Sequence, residues 1–339
     1  MPRPVRPGDH RKAAMPGDLP IVAETSSSDS HGHLPCRAYR PDICTNAHRY
    51  RGLDDRPDRR RCARLALATR LRRATVCSAK LDVPTGRNAA AACHRAGLAG
   101  TFGAMENSAA LVTGANKGIG KEIARQLAAA GLAVWVGSRD AARGERAVEE
   151  IGGDARLLVL DVTDAASIAA AARQAGTLDI LVNNAGISGD GKTADRDDVG
   201  TFRRIYETNV FGVVAVTNAF LPALRRSAHP RIVNISSGTG SLAWATGPQF
   251  PHRGTYAAYR SSKAALNALT VYYAHALADD VIKVNALAPG LRRTDLNATA
   301  AASDGDPAEA AAGAVRLALL PDDGPSGEFF SWDGTQVPW

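Results

Sequence analysis

Tyr259 and Lys263 lie four residues apart in Y-R-S-S-K, downstream of a glycine-rich turn, T-G-A-N-K-G-I-G, at Thr113 to Gly120. On a helix that spacing stacks the phenol and the ammonium on one face, one turn apart. A free phenol ionises near pH ~10, too high for efficient base work at neutrality, and a neighbouring ammonium favours the phenolate. The pair therefore suits proton transfer at an alcohol or a carbonyl. Gly114, Gly118 and Gly120 suit a turn that opens a helix, where free N–H groups and the positive dipole end face a pyrophosphate. Together the two features point to hydride chemistry on a C–O bond.

These residues need a frame, and the pattern from Ser108 onward supplies one. Short apolar runs at Ala109–Thr113, Ala133–Val136, Ala155–Leu160, Leu178–Val182, Arg231–Ile235 and Ile282–Ala286 read as six strands, and Glu328–Trp332 as a seventh. Helical segments separate them. Ile119, Ile123 and Leu127 share one face, Gly131 ends that helix, and a long helix runs from Tyr259 to Leu277. Strands alternating with helices predict an α/β fold, a doubly wound parallel sheet of about seven strands with helices on both faces. The spacing G-x-x-x-G-x-G differs from the common G-x-G-x-x-G dinucleotide fingerprint.

The second strand ends in V-G-S-R-D. An acidic residue there bonds a ribose 2′-hydroxyl, whereas a basic one suits a 2′-phosphate. Ser138 and Arg139 occupy the position and Lys117 lies inside the glycine turn, so NADP is expected over NAD. Asp140 keeps NAD possible, because a shift of one residue would put a carboxylate at the strand end. In L-D-V-T-D, Asp161 is placed to accept from the adenine amino group and Val162 to pack on the ring. An acidic residue here could equally cap the next helix, with Asp164 the better placed.

Four motifs occur in order: T-G-A-N-K-G-I-G, N-N-A-G at Asn183 to Gly186, the Y-x-x-x-K of Tyr259 and Lys263, and P-G at Pro289 and Gly290. From about Met105 to Trp339 the chain resembles the short-chain dehydrogenase/reductase family, in its compact single-domain branch. The resemblance implies that Tyr259 is the general acid in reduction and the base in oxidation, and that Lys263 also bonds the nicotinamide ribose. It implies that Ser237, the second serine of N-I-S-S, orients the substrate oxygen, and that Asn209, in E-T-N-V-F-G, holds a water in a proton relay to the lysine. It further implies a cofactor cradle of Gly114, Asn116, Lys117, Gly118, Ile119, Gly120, Asn183, Asn184, Gly186, Pro289 and Gly290, with Thr294 near the nicotinamide.

The chain departs from the compact pattern in one place. Between Ser237 and Tyr259 lie 21 residues, including Trp244, Phe250, His252 and Tyr256. This longer lip resembles that of carbonyl-reductase-like members. Its aromatic side chains either favour apolar, ring-bearing ketones or cover the domain's own edge. Asp295 and Asn297, in T-D-L-N, read as cap groups. A ketone, aldehyde or alcohol is the implied partner, to a monomer or a homo-oligomer. A cofactor-sensing protein without activity needs the glycine turn but not the Tyr/Lys/Ser/Asn set, so the set favours an enzyme.

Charge and cysteine divide the chain in two. Residues 1–104 carry 19 Lys/Arg and 9 Asp/Glu, a net of +10, and the remainder carries 22 and 25, a net of −3. The overall +7 thus belongs to the leading segment and does not argue that the folded part binds nucleic acid. All five cysteines precede residue 105, and none is spaced C-x-x-C, so neither a disulfide framework nor a thiolate metal site is expected in the part with the motifs. No apolar run approaches the ~18 residues of a membrane span, and no apolar stretch follows Met1. Residues 1–104 read as an Arg-rich extension without a packed core, or as sequence upstream of the real start, and a cytoplasmic location is expected.

Overall fold

In the computed structural model the described residues are 108–248 and 253–339. The expected Arg-rich extension, residues 1–104, lies outside them, as do Phe250 and His252.

Seven strands form one sheet in the order β3-β2-β1-β4-β5-β6-β7, and every pairing is parallel. They are β1 (Ala109–Val112), β2 (Ala133–Ser138), β3 (Ala155–Val159), β4 (Ile180–Asn183), β5 (Arg231–Ile235), β6 (Lys283–Ala288) and β7 (Phe329–Ser331). The sheet is the doubly wound one expected. Strands β4 and β6 end one and two residues later than the apolar runs suggest, because the ladder to their neighbours continues through Asn183 and Ala288.

The helices are α1 (Gly118–Ala129), α2 (Ala141–Ile151), α3 (Ala165–Ala175), α4 (Val199–Tyr206), α5 (Gly212–Leu224), the single turn α6 (Leu242–Ala245), α7 (Ala257–Ala276), the single turn α8 (Ala298–Ala301) and α9 (Pro307–Ala318). Their starts are written in the sequence. Asp140, Asp164, Asp198 and Asp306 cap α2, α3, α4 and α9 by accepting from free first-turn N–H groups. Asp164 is indeed the cap of its helix, accepting from Ala166 and Ser167.

Alternation along the strands sorts the core into two layers. Val112, Val182 and Val233 face α1 and α9, where Ile123, Leu127, Ala314 and Leu317 are buried. Their chain neighbours Leu111, Leu181 and Ile232 face the other side, against Val216, Phe220 and Leu224 of α5 and Ala274 of α7. With both faces covered, chemistry is left to the carboxyl ends of the strands. The order reverses between β1 and β4, which opens a crevice there.

Candidate active site

The glycine turn leaves β1 at Thr113 and meets the turn that leaves β4. Gly114 and Gly118 have φ of +62° and +55°, a region side chains rarely adopt. Gly120 is required for space: a Cβ there would lie 2.3 Å from Asn184 Nδ2 and 2.6 Å from the Gly114 carbonyl oxygen. Asn184 donates to the Thr113 and Gly114 carbonyls at 2.9 and 3.2 Å. The Thr113 hydroxyl in turn accepts from the N–H groups of Asn184 and Ala185 at 2.9 and 3.0 Å. Asn184 and Thr113 thus bolt the two loops together and leave an open cradle at the start of α1. Ile119 packs into the core beneath it, Asn116 is partly exposed and Lys117 exposed.

Asn183 plays a different part from its neighbour. It is buried, and its amide donates to Thr217 at 3.1 Å and to Asn234 at 2.9 Å. Asn234, its register partner on β5, donates to Thr270 of α7 at 2.9 Å. This polar chain ties α5, two central strands and α7 together inside the sheet. The Asn183 side chain is therefore turned away from a cofactor. The clue in the sequence was a second asparagine in N-I-S-S at the matching end of an otherwise apolar strand.

At the end of β2, Ser138 is the last strand residue, buried, and its hydroxyl donates to the Asp140 carbonyl. Arg139 follows, exposed. The Asp140 carboxylate is engaged as the cap of α2, accepting from Arg143 N–H at 3.0 Å. At the end of β3, Asp161 accepts from the N–H and hydroxyl of Thr163 at 2.9 and 2.7 Å. Its carboxyl lies below its ordinary range: burial opposes the charge, while the Thr163 bonds and the Arg139 guanidinium outweigh burial. Val162 is partly buried and packs against Gly212 at the start of α5.

The residues expected to move protons gather just past the end of β5 and at the start of α7. Helix α7 begins at Ala257, two residues before the expected start, so Tyr259 lies inside its first turn. Ser237, two residues past the end of β5, caps a tight turn at Gly238–Gly240, accepting from Thr239 N–H at 3.2 Å. Tyr259 borders the cleft, partly exposed. Its phenol sits above its ordinary pKa because burial penalises the phenolate. A hydrogen bond with Ser237 and the charge of Arg260 pull the other way.

Lys263 lies one turn beyond Tyr259, over its ring, as the spacing predicts. Its ammonium is buried and donates to the Ile235 carbonyl at 2.8 Å. It lies 5.8 Å from the centroid of the Tyr259 ring. Burial pushes Lys263 down to about 8. The bond to Ile235 fixes where the lysine charge rests. It anchors that charge over the ring, beside Gly186, whose Cβ would lie 3.6 Å from the ammonium.

Asn209 sits in a π-helical turn, Glu207–Phe211, between α4 and α5. Such turns widen the helix and occur often at functional sites. The side chain is wholly buried: its amide donates to the Ile187 carbonyl and to Ser262, and its oxygen accepts from Ile187 N–H. Both amide hydrogens are engaged, so a water held through the Asn209 side chain would have only the remaining lone pair of its oxygen. Ser262, inside the Y-x-x-x-K span, was not picked out in the sequence, since nothing marks it apart from Ser261.

After β6, Pro289 and Gly290 (φ +72°) turn the chain over the crevice. Thr294 lies against Gly118, 3.4 Å from where a Cβ would be. Asn297 caps α8 as expected. Asp295 does not cap; it pairs with Lys117 at 2.5 Å, because the loop lays it across the glycine turn. Arg292, unremarked in the sequence, is buried at the base of this loop. It donates to the Pro289 carbonyl and to Glu309 and stacks on Trp332. Among the described residues no group of three His, Cys, Asp or Glu side chains could hold a metal ion, and no helix is long and apolar enough to cross a membrane.

Residues 108–305 match the family described as short chain dehydrogenase. (-)-Isopiperitenone reductase of Mentha piperita is 36% identical over 310 residues, covering 66% of this chain and 96% of the relative. Salutaridine reductase of Papaver somniferum is 35% identical over 297 residues, covering 65% and 93%. Among solved structures, NADPH-bound carbonyl reductase from chicken fatty liver is similar at a TM-score of 0.62 and 31% identity, covering 69% of this chain and 100% of that one.

Proposed function

The chain belongs to the short-chain dehydrogenase family, and from that premise we propose that it moves hydride between NADP and a small ketone, aldehyde or alcohol, with Tyr259 as general acid and base. It is an oxidoreductase of carbonyl and alcohol groups, as its relatives' names, reductase and dehydrogenase, indicate. The finer reading is carried by one observation: the Lys263 ammonium is buried 5.8 Å from the centroid of the Tyr259 ring and bonded to the last residue of β5, with only β4 between that strand and β1, which leads into the glycine cradle.

The cradle fits a pyridine dinucleotide. Gly114 and Gly118 supply the backbone conformation, and Gly120, Asn184 and Thr113 hold the start of α1 open for phosphates. Arg139, exposed just past the end of β2, is the cation that suits a 2′-phosphate; Lys117 is paired with Asp295, and Asp140 is engaged as the cap of α2. When bound, the nicotinamide supplies or accepts the hydride. The chain's own groups do the rest. Ser237 orients the substrate oxygen, and Tyr259 gives its proton to that oxygen in reduction or takes it in oxidation. A phenol held above its ordinary pKa stays protonated at neutrality, which suits the acid role in carbonyl reduction. Lys263 fixes the floor of the site through Ile235. Trp244 packs against the edge cluster of Ala286, Ala288, Phe329 and Val337, so of the two it is Tyr256 that suits an apolar or ring-bearing carbonyl compound.

The test is NADPH and NADH oxidation, followed optically against a panel of aldehydes and ketones, with Tyr259→Phe beside the natural protein. The natural protein turns over NADPH faster than NADH, and the variant binds NADPH but loses nearly all turnover. Turnover retained by the variant, or equal use of both nucleotides, refutes the corresponding half of the reading.

A further inference from the structure

The chain between β6 and α9 leaves the sheet and closes on itself. The Arg293 N–H donates to the Gly305 carbonyl at 2.8 Å, and the Ser303 hydroxyl donates to the Leu291 carbonyl at 3.1 Å. A Cβ at Gly305 would lie 2.2 Å from the Leu291 carbonyl oxygen, so the closure needs glycine there. The loop 293–305 then touches three sides of the cleft. Thr294 meets Gly118 and Asp295 pairs with Lys117 on the glycine turn. Asn297 donates to the Ser188 hydroxyl, beyond β4, at 3.2 Å. Thr299 lies 3.4 Å from the Tyr256 hydroxyl of the lip. The loop side chains in these contacts are partly or fully exposed.

The base of the loop is built differently. Arg292 is 7% exposed. Its Nε donates to the Pro289 carbonyl at 2.8 Å, and its Nη1 to the Glu309 carboxylate, in the first turn of α9, at 2.7 Å. The guanidinium lies 4.2 Å from the centroid of the Trp332 ring, just past β7. Gly290 rests on both groups: a Cβ there would lie 3.3 Å from Arg292 Nη2 and 3.1 Å from Trp332 Cδ1. Nη2 itself is buried without a hydrogen-bond partner. One guanidinium thus joins the Pro289–Gly290 turn, the foot of the loop, α9 and the end of β7. Stability alone does not explain the choice of residue. A buried cation with an orphan nitrogen, and with a carboxylate partner half in water, is a cost that an apolar side chain of similar size avoids. What the guanidinium adds is direction, since its planar fork fits one arrangement of the two acceptors.

We propose that Arg292 is a positioning residue for cofactor binding: with Glu309 it pins the foot of the 293–305 loop, and so holds Thr294, two residues on, against Gly118 of the glycine turn. This rests on the reading of that turn as a dinucleotide cradle. Thr294 is the residue that meets the nucleotide, and Arg292 acts through it. Ser237, Tyr259 and Lys263 stand on other elements, so the pin bears on how tightly the nucleotide is held and not on proton transfer.

The experiment compares the natural protein with Arg292→Met, Thr294→Ala and the double variant, and with Glu309→Gln alone and combined with Thr294→Ala. Three readouts are taken: the NADPH dissociation constant by fluorescence titration, the urea unfolding midpoint, and the rate of trypsin cutting after Arg293 without nucleotide. Arg292→Met weakens NADPH binding about tenfold, the loss of one charge-assisted hydrogen bond. It also speeds cutting after Arg293. Its unfolding midpoint moves little, because methionine still covers Trp332 and Glu309 returns to water. Glu309→Gln, which keeps an acceptor and loses the charge, weakens binding about threefold. In the Thr294→Ala background either change adds less than about twofold, since the effect passes through Thr294. Natural affinity in Arg292→Met overturns the proposal, as do effects that multiply in the double variants. A fall in stability that matches the loss of affinity marks a packing role and overturns it too. If Arg292→Met does not fold, Glu309→Gln and its double variant decide by the same criteria. A natural protein that binds neither NADPH nor NADH overturns the cradle reading itself, an outcome distinct from equal binding by the natural protein and the variants.

Discussion

Replacing Gly120 by alanine tests whether the cradle is held open by the contact between the two loops. A Cβ at that position meets Asn184 Nδ2 at 2.3 Å and the Gly114 carbonyl oxygen at 2.6 Å. The first obstacle is a side chain and can withdraw, but only by breaking its bonds to Thr113 and Gly114. Two buried hydrogen bonds contribute about 1 kcal/mol each. The second obstacle is backbone at a left-handed glycine and cannot withdraw without moving the turn, an overpacking cost of ~1–3 kcal/mol. The sum, about 3–5 kcal/mol, is a large share of a domain's net stability of ~5–15 kcal/mol. Urea unfolding followed by circular dichroism reads it, and NADPH titration by fluorescence reads the accompanying loss of cofactor affinity. The two obstacles also predict a coupling. Asn184→Ala alone destabilises by about 2 kcal/mol, and the double variant falls short of additivity by a similar amount, because the bonds are lost only once. Gly120→Ala with natural stability, or strict additivity with Asn184→Ala, would refute the picture of Asn184 as the bolt.

Two further outcomes concern pH. Lys263 is pushed down from 10.5 to about 8, so between those values the unfolded chain binds more protons and stability rises with pH. At neutrality the buried ammonium therefore opposes folding, by an upper bound of ~3 kcal/mol; Lys263→Met should unfold at a higher temperature than the natural protein at pH 7, with the difference vanishing above about pH 10. Asp322, at the opposite end of the sheet, is held below its ordinary range by hydrogen bonds from Arg231 and His229. Its contribution is complete above the unfolded carboxylate value and is lost as pH falls through the lowered folded one. Asp322 is mostly exposed, so Asp322→Asn should destabilise by about 1 kcal/mol at most at pH 7, and the difference from the natural protein should shrink in acid unfolding curves.

The sequence determined the order and kind of every strand, because the apolar runs of a sheet covered on both faces need no partner information to be recognised. It also pointed to the candidate site: glycine, tyrosine and lysine spacing is local, and so is the Asp164 cap of α3. Tertiary structure decided how those residues are used. Asn183 and Asn184 are adjacent in the chain, yet one is buried in a polar chain across the sheet and the other locks the glycine turn, since successive residues leaving a strand point opposite ways. Asp140 became a cap when β2 stopped at Ser138, and Asp295 met Lys117 across 178 positions of chain. Where the Lys263 charge comes to rest was decided by the Ile235 carbonyl it bonds. Spacing along a helix fixes which face a side chain occupies, but burial and hydrogen-bond partners fix its charge, and those come from elements distant in sequence.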